Sequence, residues 1–298
     1  MNESGQASTA SDAWTIRRIL TWATVDFQRR GIESPRLEAE LLLAHALGMT
    51  RIDLIVKSAL VLTPTELDRI RELLRRRRSA EPTAYLLGQR EFYGIPIRVD
   101  RRVLIPRPDT ETLVQVAIER SRPRSAHGRA LDLCTGSGCV AIAFAKHRTG
   151  WTTLGVDISE QALQVAENNA LRVGNIWGLA WLRSNLFEEL PALRFDLITA
   201  NPPYIPTAEI AELDATIRDF EPQLALDGGP DGLDIIRRIV HEAPDWLEPD
   251  GTLAIEIGLT QAAAVTELLN TRGFVDIACS KDYGGRDRVI SGRWPKSG

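Results

Sequence analysis

The chain has 298 residues, room for one large or two ordinary domains, and its 44% hydrophobic and 26% charged residues match a globular protein with a proper core. A net charge of −4 carries no overall nucleic-acid signature, and the longest apolar runs, such as residues 139–145, are too short to span a membrane. The charge is uneven: residues 1–80 hold 13 Lys+Arg against 10 Asp+Glu and the remainder 23 against 30, so a basic N-terminal part precedes an acidic body.

Residues 1–13 are small and polar, lack the apolar core of a signal peptide, and are expected to form a disordered tail. Residues 14–81 read as helical. Ile16, Ile19, Leu20, Ala23 and Phe27 recur at helical spacing. Ser34-Pro35 reads as a cap followed by proline at the first helical position, with Leu37, Leu41 and Leu42 continuing that helix's apolar face. Thr50-x-x-Asp53 resembles a cap for a third helix, and Thr63-Pro64-Thr65-Glu66 is a capping box ahead of Leu67, Ile70, Leu73 and Leu74. That last helix ends in Arg75, Arg76, Arg77 and Arg78, where the helix dipole favours cations. The run reads as a solvated face, with a phosphate contact as the alternative. No residue of this bundle points to catalysis, so its expected work is docking a substrate or partner.

Residues 82–107 read as a β-hairpin linker, with Glu91-Phe92-Tyr93-Gly94 leading into Ile95-Pro96-Ile97-Arg98-Val99. Residues 108–298 are expected to form the catalytic domain. Within it the pattern alternates: strands over 130–134, 152–156, 195–200, 252–258, 274–280 and 288–292, and helices over 139–146, 159–169, 233–242 and 261–271. Such alternation predicts an α/β fold, a mostly parallel sheet covered on both faces. The last two strands have no helix between them and should pair antiparallel.

The first of these strands runs into Asp132-Leu133-Cys134-Thr135-Gly136-Ser137-Gly138. Glycines let a ligand approach the backbone, and the following helix start favours an anionic group. The next strand ends in Asp157, placed to accept both hydroxyls of a ribose. Gly136-x-Gly138-x-x-Ala141 also satisfies the dinucleotide fingerprint, with Asp157 at about the expected distance, so this stretch alone fits a dehydrogenase as well. Asp132 favours a different ligand, because a carboxylate there suits the ammonium of an amino-acid moiety such as that of S-adenosylmethionine.

The strand over 195–200 delivers Asn201-Pro202-Pro203-Tyr204 to the same sheet edge, where open α/β sheets bind ligands. An amide nitrogen is a poor nucleophile because its lone pair is delocalised into the carbonyl. The Asn201 oxygen can accept one N–H of a planar NH2 group, and a backbone carbonyl beside the prolines can accept the other. Two prolines stiffen the loop, and Tyr204 offers a flat surface for stacking. This is equipment for methylating an amide or amidine nitrogen. A dehydrogenase has no use for it. The three cysteines, Cys134, Cys139 and Cys279, are odd in number and lack CxxC spacing; they read as free thiols of a reducing cytoplasm, and with the four scattered histidines they give no metal site.

These motifs, in this order, resemble the PrmC/HemK family of protein-glutamine methyltransferases over nearly the whole chain. The resemblance rests also on Leu104-Ile105-Pro106-Arg107-Pro108-Asp109-Thr110-Glu111, Val156-Asp157-Ile158-Ser159, Glu221-Pro222, Asp231-Gly232-Leu233, Glu256-Ile257-Gly258 and Asp287-Arg288-Val289. It implies a Rossmann-like S-adenosylmethionine-dependent methyltransferase sheet behind a small all-helical domain, and methyl transfer to the glutamine of the GGQ loop in class I peptide chain release factors. It further implies that Cys134, Thr135, Gly136, Ser137 and Gly138 line the methionine end of the cofactor, that Asp157 holds the ribose, and that Asn185 and Leu186 border the adenine. Asn201, Pro202, Pro203 and Tyr204 would hold the glutamine amide.

Family members often carry Gly at the position of Cys134, Asp at Asn185 and Glu at Asp109. The loop over 134–139 is also similar to enzymes that methylate a large-subunit ribosomal protein, while residues 105–111 and 287–289 favour the release-factor branch. An adenine-amino methyltransferase is the other rival; it needs a flipped base and a basic channel, which the acidic body does not offer. A monomer free of nucleic acid and membrane is the default expectation, and the roles of Glu256 and of Arg75 to Arg78 stay open at this stage.

Overall fold

The computed structural model describes residues 13–296 other than 123, 125 and 175; residues 1–12 of the expected tail lie outside the described residues. The chain divides into two compact units between Leu87 and Gly88.

The first unit is helical: α1 (Ile16–Arg29), α2 (Pro35–Leu47), α3 (Arg51–Val56), α4 (Pro64–Arg78) and α5 (Thr83–Leu87). Ile16, Ile19, Ala23 and Phe27 form one stripe of α1 and meet Leu42 and Leu43 of α2 and Leu67, Ile70 and Leu74 of α4 in a dry core. The expected capping box of Thr63 with Glu66 forms, and the cap expected at Thr50 is a full box with Asp53. Two details of α2 differ from the sequence reading. Ser34 is left-handed (φ 49°) and makes no side-chain cap bond, and the buried face runs through Ala39, Leu42 and Leu43 while Leu37 is exposed. The four arginines that close α4 are each matched by an acid: Arg75 with Glu72 (2.7 Å), Arg76 with Glu81 (2.6 Å), Arg77 with Glu38 (2.8 Å) and Arg78 with Asp26 (3.2 Å). The run is an ion-paired face of this unit.

The second unit begins with the antiparallel hairpin β1 (Gln89–Phe92) and β2 (Ile95–Arg98), followed by α6 (Glu111–Ser121). Then come β3 (Gly128–Leu133), α7 (Cys139–His147), β4 (Trp151–Asp157), α8 (Glu160–Val173), β5 (Leu179–Arg183) and β6 (Phe195–Ala200). The chain ends through α9 (Ala215–Arg218), α10 (Asp234–Trp246), β7 (Leu247–Glu256), α11 (Ala262–Arg272), β8 (Val275–Lys281) and β9 (Asp287–Arg293). The hairpin is held by this unit: buried Asn169 of α8 accepts from the Arg98 amide at 2.7 Å and donates to the Arg98 carbonyl at 3.0 Å.

The sheet order is β5-β4-β3-β6-β7-β9-β8. The first five strands are parallel; β9 pairs antiparallel with β8, as the missing crossover helix predicts, and also antiparallel with β7. Alternate residues of each strand face opposite layers. Leu131, Leu133, Ile198, Leu253 and Ile255 join the core with Ile236, Ile239 and Val240 of α10 and Val265 and Leu269 of α11. Ala130 and Leu197 face the other way, toward Ala117 of α6 and Phe144 of α7. Strand order reverses at β3, whose neighbours are β4 and β6, so a crevice opens at the carboxyl ends of these strands.

Candidate active site

A cleft occupies that crevice. Its floor is the turn after β3, its sides are the ends of β4 and β6, and its outer walls come from residues 102–110 and 222–225. Of the residues expected at the site, Asp132, Cys134, Thr135, Gly136, Ser137, Asp157, Asn185, Leu186, Asn201 and Pro203 line it; Gly138, Pro202 and Tyr204 lie behind it.

The turn is left-handed at Cys134 (φ 55°), Gly136 (φ 54°) and Gly138 (φ 77°). Glycine adopts this backbone freely, whereas a side chain there costs about 1 kcal/mol, so Cys134 sits where glycine would be the relaxed choice. Burial, reinforced by Asp157 and Asp132, pushes its thiol pKa up and keeps it neutral. Gly138 begins α7, and a Cβ there would lie 2.7 Å from the Trp181 ring and 2.9 Å from the Ala166 methyl group. Trp181, on edge strand β5, also covers Gly155 of β4, its register partner, where a Cβ would come within 2.3 Å of the ring. Asn169 completes the support by donating to the Ser137 carbonyl at 2.9 Å.

Asp132 and Thr199 are register partners on β3 and β6, which explains their 2.8 Å bond; Thr135 donates to the other Asp132 oxygen at 2.6 Å. Burial raises the Asp132 pKa to about 6 against the pull of these hydroxyls. Asp157 accepts from the Gly136 amide on one oxygen and the Ser159 amide on the other, both at 2.9 Å. Each oxygen keeps a lone pair for a hydroxyl, and burial raises the pKa of this acid too. Asn185 donates to Glu188 at 2.7 Å and its oxygen accepts from Arg238 at 3.2 Å, so an adenine amino group would share that oxygen with a guanidinium.

At the end of β6, Asn201 Nδ2 donates to Thr110 Oγ1 at 3.3 Å. Pro202 is buried beneath the loop. Tyr204 is packed against the core of the sheet, and its hydroxyl reaches Glu256 Oε1 at 3.4 Å. Burial, together with the nearby Glu256 charge, pushes the phenol pKa up. In this structure the ring anchors the loop from behind.

The sequence reading took residues 104–111 and 221–222 only as motif text and passed over 102, 103, 224 and 225, yet these stretches wall the cleft. Arg107 bonds Glu221 at 2.6 Å, and the second Glu221 oxygen takes the Ile105 amide at 3.2 Å, which clasps the two walls together. An arginine set among prolines, and a glutamate before a proline, were the available signals. Asp109 pairs with Arg288 at 3.2 Å. No helix among the described residues is long and apolar enough to cross a membrane.

Comparison with known proteins adds names to this geometry. Residues 18–88 match the family model of the PrmC N-terminal domain, and residues 109–220 match the methyltransferase small domain. The chain is 43% identical over 282 residues to the release factor glutamine methyltransferase of Geobacter sulfurreducens, covering 95% of this chain and 98% of that one. It is 43% identical over 294 residues to the release factor glutamine methyltransferase of Rhodopirellula baltica, covering 96% and 98%. A crystal structure of a methyltransferase from Pyrococcus furiosus shares the fold, with a TM-score of 0.54 at 17% identity over 74% of this chain and 100% of that one.

Proposed function

We infer, because the chain belongs to the release factor glutamine methyltransferase family, that it methylates the side-chain amide nitrogen of the GGQ glutamine in class I peptide chain release factors, with S-adenosylmethionine as donor. One observation carries this reading to the residues. Asn201 lines the same cleft as the left-handed turn and Asp157, so an amide acceptor and its methyl donor can be held at one sheet edge.

S-adenosylmethionine, when bound, supplies an electrophilic methyl group on a sulfonium. The residues present fit it. The turn at Gly136 presents bare backbone, and α7 starts directly behind it with amides suited to a carboxylate. Asp157 keeps lone pairs for two ribose hydroxyls, and Leu186 offers an apolar border to a base.

Asn201 Oδ1 accepts one N–H of the glutamine amide, and a backbone carbonyl beside Pro202 and Pro203 accepts the other. These bonds return electron density to the nitrogen and aim its lone pair, so catalysis is mainly positioning and polarisation. No base is needed before transfer, because the nitrogen becomes strongly acidic once alkylated. Three free cysteines fit a reducing cytoplasm as the place of action.

The test is direct: incubate the chain with methyl-labelled S-adenosylmethionine and, separately, a release factor, a large-subunit ribosomal protein and DNA. Label on the release factor glutamine is expected. Label confined to the ribosomal protein or to adenine would replace this reading with one of its two rivals.

A further inference from the structure

We propose that Arg238 and Glu188 are positioning residues that act through Asn185, locking its amide so that the oxygen is offered to the nucleobase of the cofactor. The pair makes the cleft select adenine over a base that carries an oxygen in place of the amino group. The proposal rests on the S-adenosylmethionine part of the reading above and deepens it.

An asparagine amide has an accepting end and a donating end of nearly the same shape. A carboxylate at position 185 would accept with either oxygen. An amide accepts with one end only, so an asparagine there reads an amino group only if something fixes which way round it stands.

The backbone already fixes where the side chain starts. Asn185 follows β5 in a loop whose next residue, Leu186, is left-handed (φ 56°). Buried Ser184 holds this loop from inside, donating to the Leu186 carbonyl at 2.9 Å and accepting from the Glu189 amide at 3.0 Å. The Ser184 amide donates to the Asp157 carbonyl at 3.1 Å, which ties the loop to the end of β4. What remains open to Asn185 is a half-turn of its amide.

Two groups of opposite charge close that option. Arg238 of α10 donates through Nη1 to Asn185 Oδ1 at 3.2 Å, and Asn185 Nδ2 donates to Glu188 Oε1 at 2.7 Å. Arg238 Nη2 completes the ring by donating to the same Glu188 oxygen at 3.3 Å. A guanidinium can only donate and a carboxylate can only accept. One orientation of the amide satisfies both. Turned over, it would set NH2 against a guanidinium and a carbonyl against a carboxylate. Glu242, one turn further along α10, lies 3.5 Å from Arg238 Nε and helps to hold the guanidinium.

Asn185 lines the cleft beside Leu186 and Ile235, and neither Arg238 nor Glu188 is part of that lining. The Asn185 oxygen has two lone pairs, of which the ring uses one. The other accepts an N–H from the amino group of adenine and repels the carbonyl oxygen that hypoxanthine has in its place. Without the ring the amide turns over and donates to that oxygen, so the wrong base gains what the right one loses. Arg238 and Glu188 are both exposed, so their pair adds little to folding, and its effect falls on selection.

The experiment measures, by titration calorimetry on the full chain, dissociation constants for S-adenosylhomocysteine and for its deaminated form, S-inosylhomocysteine. The wild type is expected to favour the adenine compound by at least about tenfold, since the other leaves the Asn185 oxygen facing an oxygen. Arg238→Met together with Glu188→Ala removes one charge of each sign and is expected to reduce that preference to about threefold or less, with each single variant in between. Adding Asn185→Asp to the double variant is expected to restore the preference, because either oxygen of a carboxylate accepts.

Equal weakening of both compounds in the double variant, with their ratio kept, marks a structural role and overturns the proposal. So does a lost preference that Asn185→Asp does not restore. A wild type that binds the two compounds equally overturns it as well, since Asn185 then does not read the amino group. A wild type that binds neither compound defeats the cofactor reading, and the proposal falls with it; a selective wild type beside an equally selective double variant defeats the proposal alone.

Discussion

Both units bury glutamates within their packing, and Glu40 of the helical unit differs from Glu256 of the sheet unit in what surrounds it. Glu40 in the helical unit is penalised by burial but receives hydrogen bonds from Arg36 at 2.8 Å and Arg51 at 2.6 Å, and its pKa ends below the ordinary value. Glu256 in the sheet unit is penalised by burial, faces hydroxyls and an arginine that is shared with two other acids, and rises to about 7. Burial alone therefore does not decide the charge of a carboxyl; the count and kind of donors does. The helical unit meets its buried Glu40 and Glu81 with guanidinium groups and gains a fixed structure. The sheet unit leaves Asp132, Asp157 and Glu256 under-supplied at the strand ends, where an unspent acceptor can serve a ligand.

The sharpest test of the structural half of that contrast is Phe27→Ala. Removing a fully buried ring from the α1 stripe should cost about 3–5 kcal/mol, read by chemical denaturation. A loss below about 1 kcal/mol would mean that the helical core is not what holds this unit.

Next in size is Asn201→Ala. It should cut kcat by about a hundredfold or more while the melting temperature and cofactor affinity stay near wild type. An unchanged turnover would move the functional half of the contrast away from this loop.

A smaller effect concerns pH. Asp132 has an ordinary pKa of 3.8 that burial lifts to about 6 in the folded chain. Between those values the folded state binds more protons than the unfolded one, so this group's contribution to stability falls as pH rises through the window. Asp132→Asn should flatten that fall when denaturation midpoints are compared across pH 4 to 7. A wild-type curve that rises over the same range, with the variant unchanged, would show that other groups control it.

The least change is expected from Arg75→Ala. Its partner Glu72 is one turn away on the exposed face of α4, so melting temperature and turnover should both stay at wild type. A clear drop in turnover alone would give the arginine run a role beyond ion pairing.

Where a feature forms from neighbours in sequence, it can be read in the chain. The α1 stripe, both capping boxes, the turn after β3, Asp157 at the end of β4 and the antiparallel pairing of the last strands are of this kind. β5 escapes because an edge strand with half-exposed residues has no clear alternation. α6 escapes because it buries Leu113, Val114, Val116 and Ala117 almost consecutively, which blurs its helical period. Thr110 meets Asn201, and Tyr204 meets Glu256, only because the fold brings separated segments together. The placement of Tyr204 has the same cause: sequence offers a flat ring, and long-range packing decides which side of the loop it occupies.

Trp181 links two positions that otherwise have separate histories. Its indole lies across Gly155 and against Gly138, so a methyl group at either site would displace the ring. A larger residue at 155 thus becomes acceptable only after 181 has shrunk, while a smaller residue at 181 leaves a void that a side chain at 155 could fill. Substitution on the edge strand β5 and on its neighbour β4 is therefore correlated, and a family of variants should show positions 155 and 181 changing as a pair.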